Sequence, residues 1–268
     1  MNPHRAAQVG VAPDTLRDGV WSSGAREIAA EAAIAILIDA SSEAVMMATP
    51  ADLEDFAAGF ALTEGLVESL DQIRDIEIAE NELGLEARLW LHEGARNAHA
   101  QRRRRRAGPV GCGLCGLESL EAAMRPIAPV PSPLRIAAVE ISAAMAALPA
   151  HQQLNQATSA AHAAAFYAPG RGIMFVREDV GRHNALDKLV GALARAGADA
   201  AGGVILMTSR VSIELIQKAA RIGAPVLAAI SAPSSLALEA AEAANICVCG
   251  VVRENGLEVF TQKARILR

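Results

Sequence analysis

Apolar residues along this chain fall into two rhythms. Between Ala33 and His92 they run or alternate over short stretches, with one helical interval; from Gly172 onward short apolar runs are spaced by stretches of helical periodicity. In the first region Ala33–Asp39 and Ala44–Ala48 read as strands, with Glu43 and the two serines before it as their turn. Thr49-Pro50-Ala51-Asp52 reads as a helix start: Thr49 caps, Pro50 suits the first helical position, and Asp52 favours the positive end of the dipole. Leu53, Phe56, Ala57, Phe60 and Ala61 then recur at helical spacing, and Gly65 lies near the end. Ile73–Ala79 and Glu86–His92 are predicted strands joined by a turn at 81–84. Residues 1–25 show no periodicity and are expected to be a disordered arm, leaving 26–100 as a small α+β domain with antiparallel-leaning strands.

In the second region strands are predicted at Ile173–Arg177, Gly203–Met207, Pro225–Ile230, Ile246–Val252 and Leu257–Thr261. Helices are predicted at Ile136–Leu148, Asn184–Arg195, Ser212–Ile222 and Ser235–Ala244. Strands separated by helices of this length imply crossover connections and a mostly parallel sheet. Asn255-Gly256 suits a two-residue hairpin turn, so an antiparallel pair is expected at one edge. The expected fold class is therefore α/β, with a domain at 135–268 following the smaller one. A basic linker at 101–134, punctuated by glycine and proline, separates the two and holds a short amphipathic helix at Leu117–Met124.

Composition sharpens this. The 268 residues are 52% hydrophobic but only 3% aromatic, and alanine carries much of the apolar count, which suits helices packed closely on sheets. A formal charge of −5 argues against nucleic-acid binding, which needs a basic field. The run Arg102–Arg106 is a local exception and is expected to be a solvated, disordered segment. No apolar h-region follows Met1-Asn2-Pro3-His4-Arg5 and no apolar run reaches membrane-spanning length, so a cytoplasmic protein without membrane association is expected. In that compartment structural disulfides are rare.

The densest chemistry is Gly111-Cys112-Gly113-Leu114-Cys115-Gly116. Glycine before, between and after two cysteines suits a loop that must reach rather than a packed strand. Neighbouring arginines and the start of a helix near Leu117 both favour a thiolate. Thiol redox chemistry, metal binding and sulfur transfer all fit. Zinc held by Cys112, Cys115, Cys247 and Cys249 is conceivable, but the last two lie in a strand-like run, where cysteines usually serve as small core residues, and no bound metal is expected.

Three further segments fall where a parallel sheet of this kind binds ligands, beyond its carboxyl edge. Glu178-Asp179-Val180-Gly181-Arg182-His183-Asn184, with Asp187 and Lys188, crowds charged groups: Arg182 and Lys188 could hold phosphates while Asp179 or Asp187 orients His183, or the group could be a hydrogen-bonded brace. Thr208-Ser209-Arg210-Val211-Ser212 and Ser231-Ala232-Pro233-Ser234-Ser235 place hydroxyls and N–H groups at helix starts, suited to a phosphate or to simple capping. His162, alone in an alanine-rich run, fits a core position.

Together these residues resemble the FdhD family of sulfurtransferases required for active formate dehydrogenase. The resemblance rests on Thr49-Pro50, Gly59-Phe60, Glu64-Gly65, Cys112-Gly113-Leu114-Cys115-Gly116, His162-Ala163-Ala164, the block Glu178–Lys188, Ser209-Arg210 and Ser231-Ala232-Pro233. It implies a cytoplasmic homodimer that takes persulfide sulfur from a cysteine desulfurase. That sulfur passes to the molybdenum cofactor in its bis-molybdopterin guanine dinucleotide form, before insertion into formate dehydrogenase. It also implies a cytidine-deaminase-like α/β/α C-terminal domain and a persulfide carried on Cys112, the role of Cys115 being open. The family's cofactor-binding stretch maps onto Val251-Val252-Arg253-Glu254-Asn255-Gly256. Arg182, His183, Ser209, Arg210 and Ser234 join it as candidates, with GDP as the surrogate ligand. The pattern departs where Thr158-Ser159-Ala160-Ala161 precedes His162 instead of the family's frequent Thr-Gly. A deaminase would show His-x-Glu and a proline before the first cysteine; Gly111 stands there and no His-x-Glu occurs, so the fold is expected without that chemistry. The alternative is a non-enzymatic cofactor-binding chaperone in which the two cysteines are structural.

Overall fold

The computed structural model describes residues 6–106 and 127–268. The sequence's thiol loop, Gly111–Gly116, and the helix expected at Leu117–Met124 lie outside the described residues. The segment expected as an arm instead forms two small antiparallel pairs, β1 (Gln8–Val11) with β4 (Arg26–Ala29) and β2 (Asp14–Arg17) with β3 (Val20–Ser23). Asp18 and Gly19, both at positive φ, make the tight turn of the second. These strands are mostly exposed, so no buried face imposed a period on their sequence.

The N-terminal lobe is a four-stranded sheet in the order β6-β5-β8-β7, with β5 (Ala32–Ile38) and β8 (Leu85–Leu91) parallel at its centre. β6 (Ser41–Ala48) and β7 (Ile73–Glu80) flank them antiparallel. Ile34, Ile36, Ile38, Leu85, Ala87 and Leu89 share one buried face, against Leu53, Phe56, Phe60 and Ala61 of α1 (Leu53–Thr63). The first turn is made by Asp39 and Ala40 at φ 45 and 64, and the serines and Glu43 belong to β6. The helix starts later than its sequence suggests. Asp52, at φ 53, occupies the N-cap, while Thr49 is buried and committed elsewhere. The arginine run is helical too, as the end of α2 (Glu93–Arg106), because alanine, arginine and glutamine are all good helix formers. On α2, His99 is buried with its Nε2 3.0 Å from Glu43 Oε1 of β6.

The C-terminal lobe carries a six-stranded sheet in the order β11-β10-β12-β13-β14-β15. Its centre, β12 (Val204–Met207), β13 (Val226–Ala229) and β14 (Cys247–Arg253), is parallel. β10 (His162–Ala168) and β11 (Gly172–Asp179) flank one side antiparallel, and β15 (Gly256–Val259) the other. The hairpin turn is Glu254-Asn255, one residue earlier than predicted, with Arg253 opposite Gly256. β10 escaped the sequence reading because alanine fills it, although Ala163, Ala164, Ala165 and Phe166 are all buried.

α5 (Arg182–Arg195), α6 (Ile213–Arg221) and α7 (Ser235–Ala243) cover one face, packing on Ile205, Met207, Leu227, Ala229 and Val248. α3 (Ala138–Ala147) covers the other, against Val204, Leu206, Val226, Ala228, Cys247 and Cys249. α3 starts later than predicted because Ile136-Ala137 form β9, paired parallel with β16 (Ile266–Leu267). A short helix, α4 (Gln153–Thr158), precedes β10. The result is a three-layer α/β/α arrangement. No helix among the described residues is long and apolar enough to cross a membrane.

The lobes meet where α1 crosses α5, and they meet on glycines. A Cβ on Gly59 would stand 1.7 Å from the Asp187 carbonyl oxygen, and one on Gly191 1.9 Å from that of Asp55. The two backbones therefore touch directly, and any side chain at either position would force them apart.

Candidate functional site

β11, β12, β13 and β14 run in one direction, since β11 and β12 are each antiparallel to the β10 between them. Their carboxyl ends share an edge. Topology thus brings together the four segments that carry the sequence candidates: 178–184, 208–212, 230–235 and 251–256.

Much of the first segment is a brace. Asp179 and Lys188 are fully buried with their charges 2.7 Å apart. Asp179 accepts from the backbone N–H of Thr49 at 2.9 Å and of Gly181 at 2.8 Å, and from Asn184 Nδ2 at 3.0 Å. Lys188 Nζ donates to the Thr49 carbonyl at 2.9 Å, and the Val180 N–H donates to the Thr49 hydroxyl at 3.2 Å. Asn184 Nδ2 also donates to the Met47 carbonyl at 2.9 Å. Burial pushes the Lys188 ammonium down in pKa, and the neighbouring Asp179 carboxylate works against it. One turn along α5, Asp187 accepts from Thr63 Oγ1 at 2.6 Å and from Lys218 Nζ at 2.9 Å, and Lys218 also reaches Glu64 at 2.9 Å. Burial opposes the charge on Lys218, but Asp187 and Glu64 carry it above its usual range. Outside this core, Arg177 and Arg195 both hold Asp55, at 2.7 and 2.6 Å. Glu178 accepts the N–H groups of Leu154 and Asn155 at the start of α4.

Of the two alternatives the sequence left open for this segment, the brace is the one the geometry shows. Lys188 is sealed from any phosphate. Neither Asp179 nor Asp187 orients His183, whose Nε2 instead lies 3.5 Å from Ser212 Oγ and 3.9 Å from Glu214 Oε2. The physical reason is position along α5: Arg182 and His183 lie half-exposed in its first turn, while Asp187 and Lys188 lie a turn further in, where Thr63, Thr49 and Lys218 enclose them. Burial, then the cation of Arg182, lower the His183 pKa to about 4, so the imidazole is neutral at pH 7.

Of the remaining candidates, Arg210, Ser234 and Arg253 face solvent along the edge, whereas Ser209 and Val252 are buried. Arg210 is exposed and makes no ion pair among the described residues. Ser209 is buried and its hydroxyl donates to the Arg210 carbonyl at 3.0 Å. Ser234 is exposed and caps α7, accepting from the Ala237 N–H at 3.4 Å. Loops 208–212 and 230–235 are tied by the Ser234 N–H donating to the Val211 carbonyl at 3.0 Å. From β14, Arg253 donates to the Ile230 carbonyl, also binding the strand end to this edge. Val251 stands in a bulge at φ 51, a left-handed conformation rare for a β-branched residue.

The stretch 251–256 divides. Val251, Val252 and Arg253 border the edge just described, whereas Glu254, Asn255 and Gly256 line a cavity of about 580 Å³ beside α3 and β15. Arg182, His183, Ser209, Arg210 and Ser234 take no part in that cavity. Cys247 and Cys249 are buried on one strand face with their Sγ atoms 3.9 Å apart. No cluster of three or more potential metal ligands occurs among the described residues.

Sequence reasoning does not reach the partners in this brace. Thr49 reads as a cap, Thr63 and Asp55 belong to no motif, and Lys218, from the same lobe as Asp187, is one cation within a helix. Glu64 and Gly59 entered only through family resemblance. The available signal was polarity on an otherwise apolar helix face: Asp55 and Thr63 sit among Phe56, Phe60 and Ala61.

Comparison with known proteins places this arrangement. A family model described as the FdhD/NarQ family matches residues 29–267. A protein of Agrobacterium fabrum named sulfur carrier protein FdhD is 47% identical over 258 residues, covering 96% of this chain and 95% of that protein. Its namesake in Cupriavidus necator is 48% identical over 240 residues, covering 90% and 83%. Among solved structures, a protein of Desulfotalea psychrophila described as a formate dehydrogenase accessory protein superposes with a TM-score of 0.78 at 23% identity, covering 98% of this chain and 100% of that one, and shares the fold.

Proposed function

Because the chain belongs to the FdhD/NarQ family, we propose that it is a sulfur carrier that serves formate dehydrogenase, loading sulfur on Cys112 and delivering it to the molybdenum cofactor. The observation that carries this reading is the near-full-length match to proteins named sulfur carrier, in a chain with Cys112-Gly113-Leu114-Cys115 set among glycines. The donor is a cysteine desulfurase bearing a persulfide. The Cys112 thiolate attacks the outer sulfur of that persulfide; a new S–S bond forms at Cys112, and the donor cysteine leaves as its thiolate. No electrons are gained or lost in this exchange. The substrate is the bis-molybdopterin guanine dinucleotide cofactor, and its nucleotide end belongs at the carboxyl edge of the C-terminal sheet. There Arg182 and Arg210 offer cations, the α6 and α7 N-termini offer N–H groups, and Ser209, Ser234 and the Val251–Arg253 bulge border them. His183, neutral at this edge, donates or accepts without adding charge. A cytoplasmic homodimer is part of this reading.

Two measurements test it. After incubation with a cysteine desulfurase and cysteine, the intact mass should rise by one sulfur atom, reversibly with reductant, and Cys112→Ala should abolish both this gain and the activation of formate dehydrogenase. Calorimetric titration with GDP should show binding that Arg210→Ala weakens by about 1.5–3 kcal/mol, the range for a charge-assisted contact, while sulfur loading persists. A fully active Cys112→Ala protein defeats the carrier reading, and no GDP binding by the wild type defeats the placement of the nucleotide.

A further inference from the structure

The cavity beside α3 has features that the carboxyl edge does not explain. It lies along β15, which has β14 on one side and no strand on the other among the described residues. An unpaired strand edge is a ready template for an extended chain. Leu257 and Val259 alternate on this strand toward the cavity, whose floor is completed by Ile266. At its mouth Val139 is 72% exposed and the adjoining Leu267 41% exposed. Lys263 and Arg268 stand on the rim, both exposed, and neither has an ion-pair partner among the described residues. Glu258, the residue between Leu257 and Val259, is exposed on the opposite side of the strand.

We propose that this groove takes an extended peptide segment of a partner protein, added as a strand to the β15 edge, with apolar side chains at alternate positions in the cavity and acidic residues against Lys263 and Arg268. Main-chain pairing supplies affinity in such strand addition, and pockets for alternate side chains supply selectivity. Lys263 and Arg268 outnumber the one acidic group of the lining, the exposed Glu254, so the net positive rim favours an acidic peptide. A second copy of the chain fits less well. β15 is only four residues long, far short of the area a stable symmetric dimer buries. A two-fold pairing centred on the strand also sets Glu258 against or beside its own copy, which is unfavourable.

The test uses the full chain, isotopically labelled, and a capped peptide of alternating valine and threonine flanked by aspartates, with a lysine-flanked counterpart. It needs neither persulfide nor nucleotide. The expected result is that the acidic peptide shifts the amide resonances of Leu257, Val259 and Val139, and binds more tightly than the basic one. In Lys263→Glu combined with Arg268→Glu, both surface changes, the acidic peptide should weaken by about fivefold and the preference should reverse. Equal binding of both peptides, shifts confined elsewhere, or no shifts at all would overturn the proposal. So would β15 amides protected by self-association, which would assign the groove to a second copy.

Discussion

His183 is surrounded by Arg182, Glu214, Lys218 and Glu64, and its folded pKa of about 4 lies below the ordinary 6.5. The unfolded chain therefore binds the extra proton between those values. The neutral imidazole contributes its stability in full above pH 6.5 and loses it as pH falls toward 4. An NMR titration of this imidazole should show a midpoint near 4, and His183→Gln should flatten the acid limb of the stability profile; a midpoint near 6.5 would contradict the burial described. Cys249 behaves oppositely. Its hydrogen bond with Cys247, together with burial, holds the thiol well above the usual range. A thiol reagent applied to the native protein at mildly alkaline pH should therefore spare Cys247 and Cys249 and react with only two of the chain's four cysteines, Cys112 and Cys115. Unfolding should expose all four, and early labelling of Cys247 or Cys249 would be the contrary result.

At the level of elements, the crossing of α1 and α5 is where the two lobes are in direct backbone contact. Gly59→Ala and Gly191→Ala should each destabilise by about 3 kcal/mol or more in denaturant melts, because the clash is with backbone rather than with a side chain that can turn away. Lys188→Met should cost about 3–5 kcal/mol by leaving Asp179 buried and unpaired. The double variant with Asp179→Asn should recover much of that loss, and if it does not, the brace is not electrostatic. The sequence made the helices of the second lobe legible because each buries one stripe, as Leu186, Leu189, Val190 and Leu193 do on α5. It also revealed the parallel strands that are apolar throughout. β10 was hidden by alanine, and β1 to β4 by having no buried face. The candidate edge was legible as loops after strands, because crossover topology dictates where such loops emerge. Which charged residues of Glu178–Lys188 face water was not legible, because their partners Thr49, Thr63 and Lys218 lie far away in sequence.

For the molecule as a whole, the seam makes two sheets into one folding unit. Scanning calorimetry should show a single transition, and 135–268 produced alone should fail to fold. In that fragment α5 would expose its Gly191 face and strand Asp179, Asp187, Lys188 and Lys218 without Thr49 and Thr63. Two separated transitions would show the lobes to be independent. The glycine contact also bears on recombination. A chimera joining the N-terminal lobe of one relative to the C-terminal lobe of another would inherit a crossing whose two sides were fitted in different lineages. With no side-chain layer at Gly59 and Gly191 to absorb a mismatch, such an exchange would require α1 and α5 to travel together, so the transferable module of this protein is the helix pair rather than either sheet.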